Sequence, residues 1–503
     1  MKRNLFWKNA LVLGWSVLLF TTGDLWGVSA EQYIPTYYPT VSSANGYPVA
    51  SPTVTPAAYG YAPATPPTAL PQRMVPEVAP PVVAVDRPVV YSECEGTLDG
   101  LVLPRLNTSP AMQAGSFLLG PGSFFIDGYL DQGLTFSNAH SDYYNPVAPN
   151  DKEGYELNQL YLAMGRRVDQ TGGWAIGGRV DFMYGTDYYY VSSLGLENHP
   201  DNGNHWNGMS DSRDYRIGRN QYGLAMPQAY VEIYSPILRG IDIKVGHFYS
   251  VMGFESPMAP MNFFYSRSYA SIYGMPQTMT GVMTTSRLND RWNVILGAVN
   301  EWNAWNSLED NFSFVGGLTF NSLNNRFSLA ATVMTGDQIA PAFQPVTFAE
   351  AANTTLLNLY ARASLTRRLT YVVEFTAGWD DRDYFCMETL DNKHGRSWYG
   401  VTNNLFFQVN SCLTLGTRFE WFRDCDNTII DGGYGVASNQ EGADYFALTF
   451  GANWQPLSWL TIRPELRWDF SNFEISGAPQ WKTYDNMTSD SILTFAADAI
   501  IRF

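Results

Sequence analysis

The last thirteen residues, SILTFAADAIIRF from Ser491 to Phe503, divide cleanly between two faces. Counted in twos from the end, Phe503, Ile501, Ala499, Ala497, Phe495 and Leu493 share one face, and Arg502, Ile500, Asp498, Ala496 and Thr494 share the other. The first face is wholly apolar, while the second carries Arg and Asp. A β-strand shows this period-2 division when one side meets an apolar medium and the other a wet one. The length matches a tilted membrane strand, which needs about 9–11 residues. An edge strand of a soluble sandwich would alternate in the same way, so the decision passes to the remaining chain.

Composition narrows the classes. The 503 residues are 45% hydrophobic and only 16% charged, enough for about three ordinary domains or for one large barrel. Aromatics make up 15%, with 31 Tyr and 15 Trp, which suits strands and the aromatic girdles of membrane barrels. The mean hydropathy of −0.18 argues against a helical membrane protein, whereas barrels escape hydropathy because every second residue is polar. A net charge of −16 and a pI near 4.7 exclude nucleic acid as a partner, since phosphate contacts need Lys and Arg clusters.

The chain opens with a targeting pattern. Lys2, Arg3 and Lys8 precede an apolar Ala10–Phe20 stretch too short to span a bilayer, and Val28-Ser29-Ala30 offers a small-residue cleavage site. Residues 1–30 therefore read as a cleaved signal peptide. Residues 31–91 are rich in Pro, Ala, Thr and Tyr, as in YPTVSSANGYP and YAPATPPTALPQ, and read as a disordered linker. The segment 92–122, around CEGTLDGLVLPRLN, has no clear period and is unassigned.

From Ser123 onward the alternation repeats. Sixteen candidate strands can be read, from Phe124–Phe136 to the closing strand, including Thr355–Leu365, Leu369–Trp379, Trp398–Val409 and Leu413–Phe422. In WAIGGRVDFMY, Trp174, Ile176, Val180, Phe182 and Tyr184 oppose Arg179 and Asp181. In LTIRPELRWDF, Leu460, Ile462, Leu466, Trp468 and Phe470 oppose Thr461, Arg463, Glu465, Arg467 and Asp469. The connections decide between sandwich and barrel. Odd ones are long, such as Gly185–Tyr222, Tyr249–Pro276 and Asp380–Ser397, and even ones are tight, such as SPILRG and NDR. Long extracellular loops alternating with short periplasmic turns are the asymmetry of outer-membrane barrels, and a sandwich has no reason to obey it. The expected fold is all-β: a transmembrane, antiparallel, up-and-down β-barrel of about 16 strands over 123–503, with both ends periplasmic.

A barrel in lipid must turn its apolar faces outward and its charges inward. The candidate pore-lining residues are Arg179, Asp181, Glu232, Asp242, Lys244, Glu374, Arg418, Glu420, Arg463, Glu465, Arg467 and Asp498. Such groups either select permeants in a water-filled lumen or form internal ion pairs that stiffen or plug it. Between Gly246 and Gly281 the chain reads GHFYSVMGFESPMAPMNFFYSRSYASIYGMPQTMTG, rich in aromatics, Met and Pro. This connection is either a packed extracellular loop or a constriction folded into the lumen, with Glu255, Asn262 and Arg267 as its polar contacts.

With the TGVM, RWNVILGAVNEWN, RPELRWDF and AADAIIRF stretches, and above all its GFE and NFFYSRSY pieces, this segment resembles the β-barrel porin-2 family of OmpL-like outer-membrane proteins over roughly Ser123–Phe503. The resemblance implies a porin-like barrel and brings no substrate and no functional residues. The closing strand likewise resembles that of bacterial outer-membrane barrels. There the terminal aromatic, here Phe503, is the signal read by the barrel assembly machinery.

Four cysteines remain, in a chain whose export permits disulfides. By topology Cys386 pairs with Cys425 in neighbouring extracellular loops, and Cys94 with Cys412 on the periplasmic side. No CxxC or HExxH spacing suggests a metal, no cofactor motif is present, and no nucleophile elbow or catalytic set stands out. The five His lie mostly in loops and read as solvated side chains. The expected function is an outer-membrane porin, a diffusion channel for small hydrophilic solutes or ions, with outer-membrane lipid as its surroundings. Homo-oligomers are a further expectation, because many porins are trimers, although no residue identifies an interface. The alternative is a loop-based receptor, adhesin or structural barrel with a closed lumen, built on loops such as DNGNHWNGMSDSRDY. Trimming the loops should abolish adhesion and leave conductance.

Overall fold

The computed structural model describes residues 124–140, 147, 153–170, 173–199, 203–204, 222–307, 311–338, 352–386, 391–430, 442–474, 482–485 and 488–503. The expected signal peptide, the linker and the unassigned segment lie outside them. Among the described residues the dominant elements are β1 (Phe124–Ser137), β2 (Gly154–Arg166), β3 (Ala175–Gly185), β4 (Gly223–Ser235), β5 (Ile241–Tyr249), β6 (Thr278–Arg287), β7 (Trp292–Val299) and β8 (Ser313–Asn321). They continue with β9 (Phe327–Gln338), β10 (Ala352–Ser364), β11 (Leu369–Cys386), β12 (Asp391–Gln408), β13 (Leu413–Asp424), β14 (Ala443–Leu457), β15 (Leu460–Ser471) and β16 (Ser491–Arg502). Two short helices, α1 (Tyr188–Val191) and α2 (Tyr269–Tyr273), lie in connections.

The sixteen strands form one closed antiparallel barrel in chain order. Closure is made by β1 against β16, in a ladder that runs from Tyr129 opposite Arg502 to Ser137 opposite Thr494. Beyond it, Gly128 N donates to Phe503 O and Phe503 N to Gly128 O, both at 3.0 Å. A closed ladder leaves no sheet edge, so the spanning backbone meets its hydrogen-bonding needs without water.

The two faces fall as the alternation requires. On β16, Leu493 and Phe495 are 40% and 47% exposed, whereas Ile492, Thr494, Ala496, Asp498 and Ile500 are buried inside. Exposed aromatics gather near both strand ends, with Phe124, Trp174, Trp454, Trp459 and Phe503 at one and Phe136, Tyr155, Tyr184, Phe312 and Trp379 at the other. Leu160, Leu296, Leu357, Leu405, Leu415 and Leu466 lie exposed between them. So much outward apolar surface would aggregate in water and is the belt a bilayer covers.

Two expectations are corrected. The long connection expected over Asp380–Ser397 is instead a continued hairpin, because β11 and β12 each run 18 residues and pair out to Cys386 opposite Asp391. A register shift between Asp380 and Asp383 marks where this hairpin leaves the regular ladder. The Cys386–Cys425 disulfide is absent, because Cys425 is a free thiol. Cys425 N donates to Ser397 O at 3.0 Å, six residues along β12 from the rung of Cys386. Six strand residues span about 20 Å, far more than the roughly 7 Å between Cα atoms that a disulfide allows. Cys412 is disulfide-bonded, and its expected partner Cys94 lies outside the described residues.

The interior is not empty. Toward β6–β10 the inner wall is apolar, with Met279, Met283, Ile295, Val299, Val315, Met334 and Leu356 packed in one buried cluster with Val251, Met252 and Met275 of the β5–β6 connection. Toward β11–β16, β1 and β2 the wall is polar and charged. That asymmetry positions the β5–β6 connection inside the barrel.

Candidate functional site

The connection over 250–277 folds into the barrel and is held along its length by inward-facing side chains. At its start, Asn358 Oδ1 accepts from Gly253 N at 3.2 Å, and Glu374 Oε1 accepts from Phe254 N at 2.9 Å. Gln159 of β2 brackets its middle, donating to Pro257 O at 2.9 Å and accepting from Ala259 N at 3.1 Å. Arg463 of β15 clasps Asp498 of β16 through Nε (3.0 and 3.1 Å) and Nη2, and donates from Nη1 to the carbonyls of Ala259 (2.9 Å), Asn262 (2.9 Å) and Phe264 (3.2 Å).

Further along, Glu465 Oε2 accepts from the backbone of Tyr265 (2.9 Å) and Ser266 (3.2 Å). Arg418 Nη1 donates to Glu255 Oε1 at 2.7 Å and to Ser266 O at 2.9 Å. Arg467 Nη1 bridges Glu420 Oε1 (2.9 Å) and Arg267 O (3.1 Å), and Glu420 Oε2 accepts from Tyr269 N at 2.8 Å, where α2 begins. Ser268 caps α2 by accepting from Ser271 N, and all five α2 residues are buried. The wall also makes room by deletion. A Cβ on Gly416 would fall 2.3 Å from the Phe263 ring, and one on Gly133 2.2 Å from the Tyr265 hydroxyl.

The twelve inward candidates thus divide. Asp181, Glu374, Arg418, Glu420, Arg463, Glu465, Arg467 and Asp498 are buried, and all of these except Asp181 hold the segment or each other. Such charges are retained where pairing and hydrogen bonds repay desolvation. Asp181 accepts from Arg179 Nε (2.7 Å), Gln228 Nε2 (2.6 Å) and the Tyr161 hydroxyl. Arg179, Glu232, Asp242 and Lys244 are half-buried, so water reaches them. Lys244 lies opposite Glu232 and over the Tyr230 ring at 4.8 Å, and Asp242 accepts from Gln170 at 2.9 Å.

Glu255, Asn262 and Arg267 brace the segment. Asn262 bonds Ser256 and Met258, and Arg267 donates to the carbonyls of Ser256 (2.5 Å) and Pro257 (2.8 Å). The half-buried residues of the segment are Glu255 and the apolar Phe254, Met258, Met261 and Phe263. Sequence reasoning missed Asn358 and Gln159, whose only signal was inward parity. It also missed Asp380, which binds Arg396 at 2.8 Å in a stretch read as loop.

One titratable group outside the strands gives a pH prediction. Burial pushes the Glu197 carboxyl up to about 7, although it accepts from Ser193 N (2.9 Å) and from Met226 N of β4 (2.7 Å). Docked, the carboxyl stays neutral to about pH 7, whereas released into water it ionises near 4.5. Docking of the β3–β4 connection is therefore strongest below about pH 4.5 and is lost progressively as pH rises to about 7. Amide exchange over residues 186–197, corrected for intrinsic rates, should be slower at pH 5 than at pH 8, and Glu197→Gln should flatten that difference.

The profile of the family described as "Putative beta-barrel porin-2, OmpL-like" matches residues 123–503, the whole barrel. The chain belongs to this family. As a porin-2 barrel it is an outer-membrane porin, and the family match covers both the wall and the inward segment. No curated protein matches the chain. Among solved structures it is similar to the trimer form of OmpT, an outer-membrane protein of Vibrio cholerae, with 11% identity, 76% of this chain and 100% of that chain covered, and a TM-score of 0.48. It is also similar to the outer-membrane channel DcaP of Acinetobacter baumannii (11%, 76% and 98%, 0.46) and to an anion-selective porin from Comamonas acidovorans (10%, 76% and 100%, 0.45). With TM-scores below 0.5, these likenesses add nothing to what the family match decides.

Proposed function

We propose that this porin is a constricted diffusion channel for small hydrophilic solutes or ions, with the 250–277 segment as its constriction. The supporting observation is that seven buried charged side chains, from Glu374 on β11 to Asp498 on β16, hold the segment against the inner wall, directly or through a partner. A fixed inward segment reduces the free cross-section and sets a size limit, while wetted Arg179, Glu232, Asp242 and Lys244 bias the field that ions feel. In this reading residues 1–30 direct export and are removed after Ala30, and the assembly machinery reads Phe503. Copies associate in the membrane as homo-oligomers.

The competing reading is a barrel closed by its own segment and working through its loops. One observation favours it, the dense burial of the inner wall around the segment. Liposome swelling with sugars of graded size separates the two. The channel reading expects fast entry of a pentose and exclusion of a trisaccharide. Exclusion of every sugar by liposomes that carry correctly folded protein would favour the closed barrel.

A further inference from the structure

Among the described residues, the inner-wall Arg362 has no carboxylate partner. Arg362 on β10 shares a rung of the barrel with Ser328 on β9, Val372 on β11 and Asn404 on β12. The same rung continues to Arg418, whose guanidinium is occupied by Glu255 and Ser266. Arg362 Nη1 is buried with no hydrogen-bond partner. Asn404 Nδ2 and Ser328 Oγ, in residues 2% and 5% exposed, are likewise without partners.

Each buried donor left unmade costs about 1–3 kcal/mol, and three on one rung call for a molecule that satisfies them together. The guanidinium and the amide nitrogen only donate, so their complement is rich in acceptors and negatively charged. The surroundings are apolar and aromatic. Val372, between Arg362 and Asn404, packs in a cluster with Phe264 and Phe406, against which Phe254 and Phe263 also lie. Phe254 meets Tyr360, two residues from Arg362 on the same face, with ring centroids 5.9 Å apart, and both rings are half-buried.

We propose that Arg362, with Asn404 and Ser328, forms an inner-wall station for aromatic carboxylates. The planar guanidinium takes the carboxylate through two parallel hydrogen bonds, and the ring of the ligand lies against Phe254 and Tyr360. This deepens the channel reading by naming a permeant class, and it rests on that reading for its place in a solute's path.

Equilibrium dialysis of radiolabelled benzoate against the full chain in detergent tests the station without requiring an open channel. Wild-type protein that keeps its heat-modifiable migration should bind saturably, with acetate at least roughly tenfold weaker as a competitor. Arg362→Gln should weaken benzoate by roughly tenfold or more and Asn404→Leu by less. If Arg362→Gln does not fold, Arg362→Lys, which keeps the charge and loses the planar fork, should fold and bind several-fold more weakly. No saturable binding to folded wild-type protein, unchanged binding in the Arg362 variants, or acetate competing as well as benzoate would each overturn the proposal. Conductance without benzoate binding sinks the station and leaves the channel; benzoate binding without conductance leaves the station and sinks the channel.

Discussion

Replacing Arg463 by alanine should release the inward segment and raise single-channel conductance several-fold while the barrel stays closed. One guanidinium joins Asp498 on β16 to three carbonyls of the segment, those of Ala259, Asn262 and Phe264. Without it the Asp498 carboxylate is buried beside Asp131, whose carboxylate lies 4.0 Å from the same guanidinium, and the three carbonyls lose their donor. Breaking a buried pair by removing one partner costs about 3–5 kcal/mol. That cost falls on docking of the segment, because the β15–β16 ladder continues on both sides of the Arg463–Asp498 rung. The variant should keep heat-modifiable migration and show larger, noisier steps. Wild-type step size in a correctly folded variant would mean that the segment does not limit flow.

Deleting Ser491–Phe503 should abolish the folded protein altogether. The deletion leaves β1 and β15 as open edges, and in lipid each unsatisfied backbone group costs several kcal/mol. Removing Phe503 alone separates closure from targeting. The β16 ladder ends at Arg502, so the shortened chain loses only the paired hydrogen bonds with Gly128 and the ring beside it. It should still refold into detergent micelles in vitro, while its level in the outer membrane of cells falls steeply. Equal accumulation in cells would remove Phe503 from any role in assembly.

How much was legible in the sequence follows from where lipid and water meet. Each spanning strand faces lipid on one side and the barrel interior on the other, so alternation marks the sixteen, weakly near Glu156 and Phe312 and, over 354–365, in a pattern that an amphipathic helix also fits. The extended hairpin over 380–397 escaped because both faces of DDRDYFC and DNKHGRS carry polar residues, which removes the contrast that parity depends on. Inward charges were legible by parity, whereas their partners were not. Arg463 meets carbonyls about 200 positions away in sequence, and nothing local announces such a contact. The same holds for the 250–277 segment, whose aromatics and prolines say that it packs without saying against which wall. Arg362 sat on a readable inward position, but only the lack of an acidic partner such as the Glu255 of Arg418 sets it apart.

The most direct test of the central claim, a water-filled channel narrowed by a pinned inner segment, is a planar-bilayer recording of purified, heat-modifiable protein under a salt gradient, with wild type and Arg463→Ala side by side. The account predicts discrete, small wild-type steps and markedly larger ones in the variant. Silent bilayers from folded, inserted protein of both kinds would contradict it and assign the barrel to its loops.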